Sequence, residues 1–188
     1  LIRSFIAGRL PAENLKLISK WISRLRKLDI HASFPRIESI HFTLKFLGDI
    51  DEEKVGLISE VLERSVQDSS RFNLRIEGMG TFPSLRNPRV VWMGIPANQV
   101  LLDLQERIEK KLVPHGFEAE NRPFRPHLTL ARIKSRKHLD QLQHFLQKDG
   151  VKADAGEFTF DSIHLYQSIL RPTGAMYKCL SSHDLKEH

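Results

Sequence analysis

The sequence predicts an α+β fold, bilobal and duplicated: two antiparallel sheets with outer helices, related by a pseudo-two-fold axis around a central cleft. Three observations predict it. Apolar runs of strand character alternate with helical stripes along the whole 188-residue chain. The tetrapeptide His41-Phe42-Thr43-Leu44 returns 86 residues later as His127-Leu128-Thr129-Leu130. The elements around the two copies keep step, since Phe72 and Phe158 each open a strand 31 residues after their histidine, and Trp92 and Lys178 each lie 51 residues after it. Two copies of so long a unit point to paired lobes of one domain, residues 1–188, because a solenoid needs three or more repeats.

Taken in order, Ile2 to Ala7 is an apolar, β-leaning run, and after Pro11 the residues Ile18, Trp21, Ile22, Leu25 and Leu28 form one helical stripe. The His41 strand extends to Phe46 or Leu47 and stops at Gly48. Asp49 or Asp51 then caps a helix carrying Val55, Ile58, Val61 and Leu62. A strand from Phe72 to Ile76 follows, with Gly78, Gly80, Pro83 and Asn87-Pro88 as turn residues before the strand Val90 to Ile95. Pro96 and Asn98 introduce a helix through Leu101, Leu104, Ile108 and Leu112, and the segment Arg122-Pro123-Phe124-Arg125-Pro126 leads into the His127 strand. Ser135 caps a helix with Leu139, Leu142, Phe145 and Leu146 on one side; Gly150 ends it. Strands near Phe158 to Tyr166 and Ala175 to Leu180 complete the chain.

With 40% apolar and 28% charged residues, the composition is that of a folded domain and argues against disorder. No apolar run reaches the length of a membrane span, and no signal-peptide pattern opens the chain, so a soluble, intracellular protein is expected; a monomer is expected as well. The single cysteine, Cys179, has no internal disulfide partner; it fits a reducing cytoplasm and is expected in the core. A net charge of +6 favours polyanions without naming one.

Side chains alternate faces along a strand, so His41 shares a face with Thr43, and His127 with Thr129 and Arg125. Each copy offers an imidazole beside a hydroxyl. Histidine, ordinarily titrating near 6.5, both takes and gives protons close to neutrality. Two of them can divide acid and base roles in one displacement. Thr43, Thr129, Arg125 and Arg132 are donors suited to nonbridging phosphate oxygens. A 2′,3′-cyclic phosphodiester matches this equipment: it carries one negative charge in a strained ring and supplies its own leaving alkoxide. No cofactor is called for, and no metal-ligand spacing of the His-x-His, Cys-pair or His-Glu-x-x-His kind occurs. Phe46, Trp92, Phe124 and Tyr166 are possible stacking platforms for a base or ribose, Phe124 foremost because it sits among arginines and prolines beside His127. Arg86, Arg89 and the run Lys134 to Lys137 read as solvated surface. His115, His138, His144, His164, His183 and His188 have no motif around them.

The two motifs resemble those of the two-histidine phosphoesterases, specifically the bacterial and archaeal RNA 2′,3′-cyclic phosphodiesterases, also called 2′-5′ RNA ligases. The resemblance rests on His41 to Gly48 and Arg125 to Arg132, together with Phe5-Ile6-Ala7, Gly78 to Pro83, Pro88 to Trp92 and Leu165 to Ser168, and so spans nearly the whole chain. It implies opening of an RNA 2′,3′-cyclic phosphate end to a 2′-phosphate. It also implies His41 as proton donor, His127 as proton acceptor, and 2′-5′ ligation by the same site, with tRNA halves as partners. Two rival readings stand beside it: a noncatalytic RNA-binding module, suggested by the basic charge, and a phosphodiesterase for a small cyclic phosphate.

Overall fold

A computed structural model describes residues 1–187; His188 lies outside the described residues. The strands are β1 (Ile2–Gly8), β2 (Ala32–Ser33), β3 (Phe42–Ile50), β4 (Phe72–Pro83), β5 (Pro88–Gly94), β6 (His127–Ile133), β7 (Asp154–Phe160), β8 (Ser162–Arg171) and β9 (Gly174–Asp184). The helices are α1 (Ala12–Arg26), α2 (Lys54–Val66), α3 (Gln99–Leu112) and α4 (Leu139–Lys148).

The strands pair antiparallel in the order β7-β4-β5-β6-β3-β1-β8-β9, with β2 added to β6. Where two separate sheets were expected, one ladder runs through both lobes. Its join is a single residue pair, Phe42 against Leu128, at the centre of the two repeated tetrapeptides. The lobes are therefore β3-β1-β8-β9 and β6-β5-β4-β7.

Sequence halves and spatial lobes do not coincide. β4 and β5 belong by sequence to the His41 half but pair with β7 and β6 in the His127 lobe. β8 and β9 come last yet extend the His41 lobe through β1. The single strand expected from Phe158 to Tyr166 is two strands, parting at Asp161 to enter different lobes. The helices cross over likewise: α1 packs on β7, whereas α2 and α3 pack together behind β9 and β3.

Local chemistry accounts for several boundaries. Asn98 caps α3 as its Oδ1 accepts from Leu101 N at 3.0 Å. Neither Asp49 nor Asp51 caps α2, which starts from Glu53 without a side-chain cap, the chain being turned by Lys54 N donating to Asp51 O. Ser135 sits too early for α4 and accepts instead from Lys137 N; the helix starts after His138 in a left-handed conformation. Gly78 and Gly80 do not end a strand, because β4 runs through both to Pro83. Gly78 has positive φ at a register shift in the ladder, and a Cβ on Gly80 would stand 2.4 Å from the Trp92 ring. Gly80 is a seat for the indole rather than a turn.

The core lies between the sheet and the helices. Phe42 and Leu128, the residues between His and Thr, are fully buried there, each contributing roughly 1.5–3 kcal/mol of apolar burial. Gly8 permits this, since a Cβ there would meet the Phe42 ring at 2.2 Å. Burying these two residues forces their neighbours to the opposite face.

Candidate active site

Because Phe42 faces Leu128, antiparallel pairing runs the motifs past each other, with Thr43 toward His127 and His41 toward Thr129. All four polar side chains leave the face opposite the buried pair.

The two imidazoles are held alike. His41 Nδ1 is 2.8 Å from Ser39 O, and His127 Nδ1 is 2.7 Å from Arg125 O, in each case the carbonyl two residues earlier. A carbonyl only accepts, so Nδ1 carries the proton and donates; the Nε2 edge is left for chemistry. Each ring also rests on a phenyl group. Phe5 of β1 stacks on His41 at 4.8 Å between centroids, and Tyr177 of β9 meets the same imidazole edge-on at 5.1 Å. Phe82 of β4 meets His127 edge-on at 5.0 Å and leads on to Trp92 at 5.3 Å.

Burial holds His41 below the ordinary imidazole value, against the hydrogen bond to Ser39 O; the positive charges of His127 and Arg132 lower it further. That influence places His127, Arg132 and His41 in one electrostatic neighbourhood. Burial likewise raises Tyr177, opposed by the charges of Arg132 and Arg3, and raises Tyr166, opposed by Arg9. The face around His41 is thus cationic.

Simple alternation turns Lys45 toward His41 and Arg132 away from His127, and the structure reverses both. Ala7 pairs with Thr43 and Ile6 with Lys45, so Leu44 is an extra residue; Trp92 pairs with Thr129 and Val91 with Ala131, so Leu130 is another. These equivalent bulges bury Leu44 with Lys45, and Leu130 with Ala131. The next residue in each copy, Phe46 and Arg132, returns to the histidine face. Lys45 Nζ instead turns into the helix layer, 2.7 Å from Glu109 Oε2 and 2.8 Å from Glu118 O.

The other expected site residues fall into groups. Thr43 and Thr129 are half-buried beside the histidines. Phe46 is 73% exposed, with its ring 6.3 Å from Phe5. Tyr166 stacks on Phe5 at 5.5 Å, one ring removed from His41, and therefore backs the site. Arg125, Phe124 and Trp92 line a cavity of about 680 Å³ that reaches His127 and not His41. Cys179, expected in the core, is exposed; it pairs with Tyr166 and so lies on the face that Tyr166 shares with Phe5. His164, set aside in the sequence, is buried on that face behind Tyr166, its imidazole pushed down to about 4, mainly by burial.

Phe5, Tyr177 and Phe82 are the residues that motif reasoning did not assign to the site. Phe5 was within reach, being in phase with Ala7 on an apolar strand. Tyr177 and Phe82 come from strands whose pairing the sequence does not encode locally. Among the described residues, no three His, Cys, Asp or Glu side chains are grouped to hold a metal ion, and no helix is long and apolar enough to cross a membrane.

Comparison with known proteins agrees with this architecture. An RNA 2′,3′-cyclic phosphodiesterase of Thermotoga maritima is 34% identical over 95% of this chain and 93% of its own length. One of Methanothermobacter thermautotrophicus is 32% identical over 94% of this chain and 95% of its own. A crystal structure from Thermus thermophilus superposes with a TM-score of 0.84 at 25% identity, covering 98% of both chains. That of E. coli LigT complexed with 3′-AMP gives 0.79 at 26%, again over 98% of both. The profile of the 2′-5′ RNA ligase superfamily matches residues 16–169, a stretch that holds both histidine motifs, and the chain belongs to that superfamily.

Proposed function

We propose that the chain is a metal-independent RNA 2′,3′-cyclic phosphodiesterase that leaves a 2′-phosphate and, with an RNA 5′-hydroxyl in place of water, forms a 2′-5′ linkage reversibly. The observation carrying this reading is the matched pair of imidazoles, each fixed through Nδ1 to a backbone carbonyl and each presenting Nε2 on one face.

In the proposed reaction His127 Nε2 takes a proton from water as its oxygen attacks phosphorus. The bond to O3′ breaks, and His41 Nε2 delivers its proton to that oxygen. The hydroxyls of Thr43 and Thr129 and the guanidinium of Arg132 donate to the nonbridging oxygens, where charge grows in the transition state. Lowering of His41 by burial makes it the stronger acid once protonated, and the phosphate anion between the lobes offsets the charges of His127 and Arg132 that oppose its protonation. Every proton transfer is covered by the two imidazoles, so the mechanism needs no cofactor.

The substrate class follows from the names of the relatives and from the cationic face around His41. RNA ends, tRNA halves among them, fit that face, with Phe46 as a platform for a base. The lone Cys179 fits a reducing cytoplasm, and both lobes act as one monomeric unit.

The test is incubation of a 2′,3′-cyclic-ended oligonucleotide in EDTA. A 2′-phosphate product is expected, turned over faster than from the cyclic mononucleotide. A strict metal requirement or a 3′-phosphate product contradicts the reading, and RNA binding without product favours a noncatalytic module.

A further inference from the structure

The 680 Å³ cavity opens on one histidine only. Its walls carry the aromatic rings of Trp92 and Phe124, the cations of Arg125 and Lys152, and the carboxylates of Glu77 and Asp154. Both carboxylates are ion-paired to Arg75, which holds them in place while lone pairs on their oxygens stay free to accept.

In-line displacement separates the two halves of the reaction in space. The nucleophile enters opposite the leaving O3′, and O3′ belongs to the donor ribose. If His41 protonates O3′, the donor nucleoside lies on the His41 side, by Phe46 and the charges of Arg3 and Arg132. Whatever bears the attacking oxygen lies beside His127. For hydrolysis that is one water molecule, which needs no space of this size. For ligation it is a whole nucleoside.

We propose that the cavity beside His127 is the acceptor subsite, shaped for the terminal nucleoside of an RNA with a free 5′-hydroxyl. The inference rests on the proton roles proposed above. Trp92 and Phe124 supply faces for the base. Glu77 and Asp154 accept from ribose hydroxyls or base amino groups of the acceptor. Arg125 and Lys152, also in the lining, are the cations available to the acceptor's 3′-phosphodiester. In the joining step the 5′-oxygen forms its bond to phosphorus and gives its proton to His127; the bond to O3′ breaks, and that oxygen takes the proton of His41. Nothing else is consumed or released.

Ala97 and Val151 stand exposed at the cavity wall, outside the core, where a larger side chain can be placed. The experiment compares wild type with Ala97→Trp and Val151→Trp, after melting curves establish that both are folded. Each protein is assayed for hydrolysis of a cyclic-ended oligonucleotide and for its joining to a 5′-hydroxyl oligonucleotide. Hydrolysis is expected unchanged and joining lowered at least about tenfold, equivalent to ~1.4 kcal/mol of acceptor binding. Equal loss of both activities puts the donor in the cavity and overturns the proposal, as does joining unchanged in both variants. A wild type that hydrolyses but never joins also overturns it, whereas a wild type inert toward the cyclic end defeats the underlying phosphodiesterase reading instead.

Discussion

At the scale of single residues, the proposed chemistry depends on two nitrogen atoms. Ser39 O and Arg125 O fix Nδ1 of each imidazole, and what is left is a pair of Nε2 edges that can trade protons across one substrate. Replacing His41 or His127 by alanine is expected to lower kcat by about 10²–10⁴ each, with the melting temperature little changed, because neither ring is in the core. A substrate with sulfur at the 3′ bridging position separates the roles. A thiolate leaves without protonation, so His41→Ala regains activity on it and His127→Ala does not; rescue of the His127 variant alone reverses the assignment.

The surroundings of His41 also set a pH dependence. The proposed reaction needs one proton shared between two imidazoles, and it is lost on the acid side once both are protonated. Burial holds His41 below its ordinary value of about 6.5, so the acid limb of kcat/KM is expected below that pH. Phe5→Ala exposes the ring, raises its pKa and moves that limb upward. A pH-rate profile of the two proteins checks the direction, and a limb that stays in place in the variant contradicts it.

At the scale of the element, the two bulges decide what the site contains. Period-two alternation was enough to put His41, Thr43, His127 and Thr129 opposite the core, because Phe42 and Leu128 between them are unmistakably core residues. It fails two residues beyond each threonine, at Lys45 and Ala131. The extra Leu44 and Leu130 are identical to ordinary strand leucines in composition; only their pairing partners in β1 and β5 reveal the shift, and pairing is not a local property. Hence Arg132 reaches the site, and Lys45 leaves it for Glu109. That ion pair is nearly dry, with side-chain exposures of 6% and 12%. Glu109→Ala leaves an uncompensated buried ammonium and is expected to cost about 3–5 kcal/mol in denaturant unfolding, while the double change Lys45→Met, Glu109→Leu restores most of it. A Glu109→Ala protein as stable as wild type would mean that the pair is not buried in solution.

At the scale of the whole molecule, duplication was legible and its spatial consequence was not. Equal offsets of 31 and 51 residues gave two lobes and a shared axis. They did not give the exchange of β4, β5, β8 and β9 between lobes, since the same hairpin spacing satisfies either partner. The exchange matters to the site. It brings Tyr177, from the C-terminal hairpin, onto the histidine of the first repeat, and Phe82, from the first half, onto the histidine of the second. Each of the two imidazoles is therefore supported by the other half of the chain. Cys179 was misplaced for the same reason: a lone apolar-looking residue in a strand gives no sign of which face its partner strand leaves open.

The central claim is that both imidazoles address one phosphorus atom. The direct measurement is a titration of the ring-nitrogen-labelled protein with a 2′-phosphate-terminated dinucleotide, followed by the Nε2 resonances of His41 and His127. The account predicts that both resonances shift with one common midpoint. A saturated complex in which only one imidazole responds contradicts it.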